Sequence, residues 1–183
     1  PSQAGLGGGS SDGAYMIRLL DERFRLNIGI AEMERYAARL GADCPFFITA
    51  MPSYATGIGE ILAPVDGPKG NLGGYRLAVV KPDIAVSTAE AYSRITPAQP
   101  AKCCRDICRQ PIATWRDELT NDFEKPIFAM HPMLADIKRR LYDLGAVYAQ
   151  MSGSGSALFG IFKQEPHDIA AAFPGLYTAV MEL

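Results

Sequence analysis

The chain has 183 residues, 48% of them apolar and 21% charged, enough to bury a core in one large domain or two small ones. A formal net charge of −2 gives no electrostatic case for nucleic acid, and no apolar run approaches membrane-spanning length or has a signal-peptide pattern. Cys44, Cys103, Cys104 and Cys108 form no C-x-x-C pair, and His131 and His167 stand far apart. Reduced cytoplasmic thiols are therefore expected rather than a zinc site.

The stretch Gly5-Leu6-Gly7-Gly8-Gly9-Ser10-Ser11 runs straight into apolar residues at helical spacing: Met16, Ile17, Leu20 and Phe24. Glycines let backbone N–H groups approach an anion, and a helix start adds unpaired donors and a positive dipole end. A phosphate loop feeding a helix over 10–24 is expected, and a flexible linker is the alternative. The loop lacks the Gly-Lys-Ser/Thr of a Walker A loop, and no strand pattern leads into it.

A second helix is predicted over 30–40, ending at Gly41. An apolar run with one carboxylate, Asp43, follows over 42–48, and a short strand pair with glycines at its bend over 53–62. Gly and Pro at 66–71, with Gly73 and Gly74, mark the strongest break and divide the chain into domains 1–70 and 71–183. Beyond the break come a strand over 75–81, a helix N-capped by Thr88, a loop over 96–100 with Pro97, and helical pieces over 103–110 and 123–130. A longer helix over 132–144 opens with Pro132 and closes with Gly145.

Strands over 147–151 and 156–163 flank Ser152-Gly153-Ser154-Gly155. A helix over 166–173 and a strand over 176–181 follow. The order β, helices, β, β, α, β is the ferredoxin-like split plan, so the fold class is α+β. Residues 1–70 hold too few strands to cover two amphipathic helices, so their apolar faces are expected to be exposed.

Three ordered motifs resemble the GHMP kinases: Pro1-Ser2-Gln3-Ala4-Gly5-Leu6-Gly7-Gly8-Gly9-Ser10-Ser11-Asp12-Gly13-Ala14, Leu40-Gly41-Ala42-Asp43-Cys44-Pro45-Phe46-Phe47, and Gly153-Ser154-Gly155-Ser156 before an apolar strand. The triple glycine and Gly57-Ile58-Gly59-Glu60-Ile61-Leu62 are most similar to the branch that phosphorylates a cytidylyl-linked alcohol in isoprenoid precursor synthesis. The resemblance implies a two-domain kinase fold lacking its first part, with 1–70 as the end of the ATP-binding domain and a catalytic lysine upstream of Pro1. It implies ATP and Mg2+, a small-molecule cytidylyl substrate, no nucleic acid or membrane partner, and self-association through the uncovered helices as an option.

By the same resemblance, the backbone of Gly5, Leu6, Gly7, Gly8 and Gly9 wraps the ATP phosphates, with hydroxyl donors from Ser10 and Ser11. Asp12 falls in the first helical turn, where it competes with phosphate unless it points away, and Gly13, usually alanine, loosens that turn. Asp43 is the expected catalytic base, poised by partial desolvation; the alternative is an Asp that caps a turn before a strand. Thr88 and Tyr92, one helical turn apart, match positions near the cytosine, and Gly153, Ser154 and Gly155 the diphosphate end of the substrate. Asn121-Asp122 resembles a family pair expected to be structural, and Trp115, His131 and His167 are assigned to packing or surface. Another GHMP small-molecule kinase (homoserine or mevalonate type) and a non-catalytic nucleotide-binding module are the competing expectations, and the 183-residue piece alone is expected to be inactive.

Overall fold

A computed structural model describes residues 4–65, 72–96 and 98–183; Pro1-Ser2-Gln3, the predicted break at 66–71 and Pro97 lie outside the described residues. Among these residues the chain divides into two compact units, one of 7–65 and one of 4–6 with 72–183.

The larger unit is built on a four-stranded antiparallel sheet. Its strands are β3 (Arg76–Lys81), β4 (Tyr148–Met151), β5 (Leu158–Phe162) and β6 (Tyr177–Glu182), in the order β4-β5-β3-β6. This is the ferredoxin-like order: the two strands flanking the first crossover end up separated by the return strand of the hairpin. Strand alternation sends Ala78 and Val80 to one face, where Leu134, Ile137 and Leu141 of α8 (Pro132–Asp143) and Ile127 of α7 (Glu124–Met130) bury them. Gly160 lets α8 approach closely, since a Cβ there would lie 3.3 Å from both Leu141 and Ala146.

The other face is covered as well. Ile107 of α5 (Cys104–Cys108), Ile112 and Trp115 of α6 (Trp115–Glu118) pack on Tyr148 and Ile161. Trp115, predicted to be surface or packing, is 6% exposed and donates Nε1–H to the Gln110 carbonyl at 3.2 Å. Helix α8 starts with Pro132 and ends in a Schellman turn: Gly145 has φ 97, Ala146 N donates to Leu141 O, and Gly145 N donates to Tyr142 O. The predicted helix over 166–173 shortens to α9 (Ile169–Ala172), because the Asp168 carboxylate caps it by accepting from Ala171 N. Likewise 103–110 contracts to α5, where the capping position is Cys103.

The smaller unit holds α1 (Gly8–Phe24), α2 (Ile30–Ala38), α3 (Phe46–Thr49) and the hairpin β1 (Ser53–Thr56) and β2 (Ile61–Pro64). Helix α1 begins two residues earlier than predicted. Asp21 ties the α1–α2 link by accepting from Ile28 N at 2.8 Å. The apolar run after Asp43 turns into a short helix rather than leading to a strand, because Phe46–Thr49 closes i→i−3 and i→i−4 bonds onto the Cys44, Pro45 and Phe46 carbonyls. The core is small, with Ala14, Ala37, Cys44 and Ile48 buried and Ile17, Met33 and Phe47 against them.

Met16, Leu19, Leu20 and Phe24 of α1 and Ile30 of α2 are exposed, Phe24 by 63%, as the strand-poor sequence predicts. No helix among the described residues is long and apolar enough to cross a membrane.

Two substitutions test this packing. Leu141→Ala removes a fully buried side chain from the sheet–helix core, and urea unfolding should show a loss of about 2–5 kcal/mol. Gly13→Ala should instead stabilise α1 by roughly 0.5–1 kcal/mol. Its Cβ would meet Leu40 Cδ1 at 3.3 Å, the end of an exposed and yielding side chain. A lower midpoint for Gly13→Ala would mean that Leu40 cannot give way.

Candidate phosphate loop and acceptor residues

In the smaller unit, Gly7 occupies the cap position of α1 in the left-handed region (φ 68), and its carbonyl accepts from Ser11 N at 2.8 Å. A Cβ on Gly7 would lie 2.6 Å from Phe47 Cζ, so the ring presses directly on the loop backbone. No side chain among the described residues caps this end, and no acidic residue lies in the first turn. The first amides of a helix have no intrahelical acceptor, so a 17-residue helix presents its donors and dipole here uncompensated.

Because α1 starts at Gly8, Asp12 falls beyond the first turn and is exposed, so the predicted competition with an anion does not arise. Ser11 differs from its expected role: its hydroxyl donates to Gly8 O at 2.7 Å, which commits its one proton to the helix. Ser10 makes no side-chain hydrogen bond among the described residues.

Asp43 sits in the turn between α2 and α3. The expected desolvation is absent in this structure: Cys44 and Pro45 turn inward and are buried, which leaves the Asp43 side chain exposed. A Cβ on Gly59 would stand 3.5 Å from Asp43 Oδ1, so the carboxylate lies over the β1–β2 turn. That turn is shaped by Gly57 and Gly59, both at positive φ, and by Glu60, whose Oε2 accepts from Ile58 N at 2.8 Å. The sequence shows these glycines as a bend but carries no signal that the bend meets Asp43.

In the larger unit, the glycine–serine turn between β4 and β5 receives the start of the chain. Ala157 N donates to Ala4 O at 2.9 Å, and Ser152 Oγ donates to Gly5 O at 2.7 Å. Gly5 has φ 70, and a Cβ there would sit 2.0 Å from Ser152 O, so no other residue fits. Within the turn Gly155 N is bound to Ser152 O, whereas the amides of Gly153 and Ser154 donate to nothing among the described residues. Ser154 is nearly buried, with its hydroxyl 3.4 Å from Thr88 Oγ1. Ser156, fully buried, donates to the Ile84 carbonyl.

Thr88 opens α4 (Thr88–Ser93) but does not cap it. Ser87 does, by accepting from Glu90 N at 3.4 Å, which frees the Thr88 hydroxyl to face Ser154. Tyr92 is 60% exposed, and its ring meets Phe123 edge-to-face at 4.9 Å, leaving ring surface open. The structure therefore brings Thr88, Ser154, Gly153 and Gly5 together, and joins Tyr92 to them through Phe123 and Asn121. Asn121 Nδ2 donates to Met151 O and Gly153 O, both at 2.8 Å, a contact across about thirty residues that no local pattern announces.

Burial pushes the Cys104 and Cys108 thiols up, so both stay protonated at neutral pH, and none of the four cysteines is in a disulfide. No group of three or more His, Cys, Asp or Glu side chains suited to a metal lies among the described residues.

Residues 105–178 match the family described as GHMP kinases C terminal. The chain is 49% identical over 177 residues to a 4-diphosphocytidyl-2-C-methyl-D-erythritol kinase of Bacteroides fragilis, an alignment covering 94% of this chain and 64% of that protein. A crystal structure of 4-(cytidine 5'-diphospho)-2C-methyl-D-erythritol kinase superposes with a TM-score of 0.77 at 29% identity, covering 100% of this chain and 68% of that one. A homoserine kinase from Cytophaga hutchinsonii shares the fold, with a TM-score of 0.63 at 14% identity, covering 99% and 66% of the two chains. This chain carries the C-terminal domain of the GHMP kinases.

Proposed function

We propose that this chain acts, within a protein of its relatives' length, as an ATP-dependent kinase of the 2-hydroxyl of 4-diphosphocytidyl-2-C-methyl-D-erythritol. The reaction would serve isoprenoid precursor synthesis in the cytoplasm. The observation that carries this reading is the uncapped N-terminus of α1, entered through positive-φ glycines, in a chain 49% identical to a kinase of that name. Residues 7–65 are then the end of the ATP-binding domain, and 72–183 the C-terminal domain.

Phosphoryl transfer asks a protein chiefly for alignment and charge stabilisation. ATP, bound with Mg2+, supplies the transferable phosphoryl group. The free amides at the start of α1 and the unspent Ser10 hydroxyl fit its phosphate oxygens as donors. Asp43 accepts no hydrogen bond among the described residues, so its oxygens remain available to take the proton of the attacking hydroxyl. The open ring surface of Tyr92 suits stacking on a pyrimidine, with the Thr88 hydroxyl and the free Gly153 and Ser154 amides as polar contacts.

In a protein of the relatives' full length, Asp43→Asn should lower kcat by about 10²–10⁴-fold with little change in substrate KM. A loss below tenfold would remove Asp43 as the base. On a substrate panel, phosphorylation of homoserine or mevalonate in preference to the cytidylyl alcohol would overturn the substrate assignment. Gly7→Ala forces a Cβ into Phe47 at a left-handed position, and its KM for ATP should rise at least tenfold. An unchanged KM would separate the cap from nucleotide binding.

A further inference from the structure

Asn121 commits both of its side-chain donor protons to one place. Its Nδ2 protons go to the carbonyls of Met151 and Gly153, the residues on either side of Ser152, and its Oδ1 accepts from Phe123 N at 2.9 Å. Glu124 holds the same strand end from below: Oε1 accepts from Met151 N at 2.9 Å, and Oε2 from Lys138 Nζ at 2.6 Å. Both main-chain polar groups of Met151 are thereby fixed from 121–124. Ser152 is held in turn by its own N–H to Ala157 O at 2.8 Å and its carbonyl from Gly155 N at 2.9 Å. The remaining group, the hydroxyl, donates to Gly5 O at 2.7 Å.

A trans peptide is planar, so the carbonyl of Gly5 and the N–H of Leu6 point in opposite directions in one rigid unit. A donor fixed on the Gly5 oxygen therefore aims the Leu6 N–H away from the turn. Among the described residues that N–H donates to nothing. We propose that Asn121 and Ser152 are positioning residues of the phosphate loop, which clamp the Gly5 carbonyl and so hold the Leu6 amide as a pre-aimed donor for a phosphate oxygen. The proposal rests on the phosphate-loop reading above. Neither side chain touches the ligand in it; each acts through the backbone of residues 5 and 6. Holding a donor before the ligand arrives removes an ordering cost that binding would otherwise bear.

The test uses a protein of the relatives' full length that contains these 183 residues, and four variants of it: Ser152→Ala, which deletes the donor; Ser152→Thr, which keeps it; Asn121→Asp, which keeps the acceptor for Phe123 N but loses both donors; and the Ser152→Ala/Asn121→Asp double variant. The backbone order parameter of the Leu6 N–H, MgATP affinity by calorimetry, and urea unfolding are measured on each. Ser152→Ala and Asn121→Asp should each loosen Leu6 and weaken MgATP by about threefold to tenfold, the range of one net hydrogen bond. Their effects should be less than multiplicative in the double variant, and Ser152→Thr should behave as wild type.

A purely structural role would lower the unfolding midpoint without loosening Leu6, and that result overturns the proposal. So does a loosened Leu6 with unchanged affinity in a wild-type chain that binds MgATP. If the full-length wild-type protein shows no MgATP binding at all, the phosphate-loop reading itself falls and the positioning role goes with it. Should Asn121→Asp fail to fold, Ser152→Ala against Ser152→Thr decides alone.

Discussion

The larger unit depends on strand β3 being paired along both edges. Val80 sits opposite Leu158 of β5 on one side and Thr178 of β6 on the other, and its side chain is fully buried, so neither face nor register can slip. Leu158 in turn lies opposite Met151 of β4. This row of Met151, Leu158 and Val80 fixes where the β4–β5 turn emerges and where the chain leaves β3 towards α4. Ser152, Gly153, Ser154, Thr88 and Asn121 therefore gather at one end of the sheet, although they lie up to 66 residues apart in the chain. Ala4 and Gly5 reach the same place by bonding to the turn itself.

The smaller unit is held by different means. Its buried residues, Ala14, Ala37, Cys44, Pro45 and Ile48, are mostly small, and several large apolar side chains of α1 and α2 face outward. Position there is set less by bulk than by close contacts: Phe47 on Gly7, Leu40 and Cys44 beside Gly13, and Asp43 over Gly59. Such contacts act on the backbone directly. That would suit the proposed phosphoryl transfer, which asks for main-chain donors and a carboxylate held in fixed places.

What the sequence made legible follows the range of each interaction. Strands and long helices announced themselves through periodicity, and the Pro132 and Gly145 boundaries of α8 through local backbone chemistry, because both signals are short-range. The β-α-β-β-α-β order sufficed for the ferredoxin-like plan because few topologies satisfy it. Asn121 could be seen only as a member of a family pair, since its partners lie 30 and 32 residues away. Ser87 replaced Thr88 as the cap of α4 because two adjacent hydroxyl residues offer the same local signal, and a contact with distant Ser154 decides between them. Asp43 misled for a related reason: apolar neighbours in sequence imply burial only if all side chains point the same way, and Cys44 and Pro45 point inward while Asp43 does not.

The glycines of the loop sort themselves by cause, and the sorting bears on function. Gly5 and Gly7 are required by the fold, one against Ser152 O and the other against Phe47, both at positive φ. Gly9 is different. It lies inside α1 without positive φ, and a Cβ there would meet nothing within 4 Å. Glycine costs about 1 kcal/mol relative to alanine in a helix interior. Packing among the described residues gives no return for that cost. An anion seated on the first amides of α1 would give one, since a Cβ in the first turn crowds the approach to those donors. Gly5 and Gly7 are thus accounted for by the shape of the loop, whereas Gly9 fits the proposed ligand at the helix start.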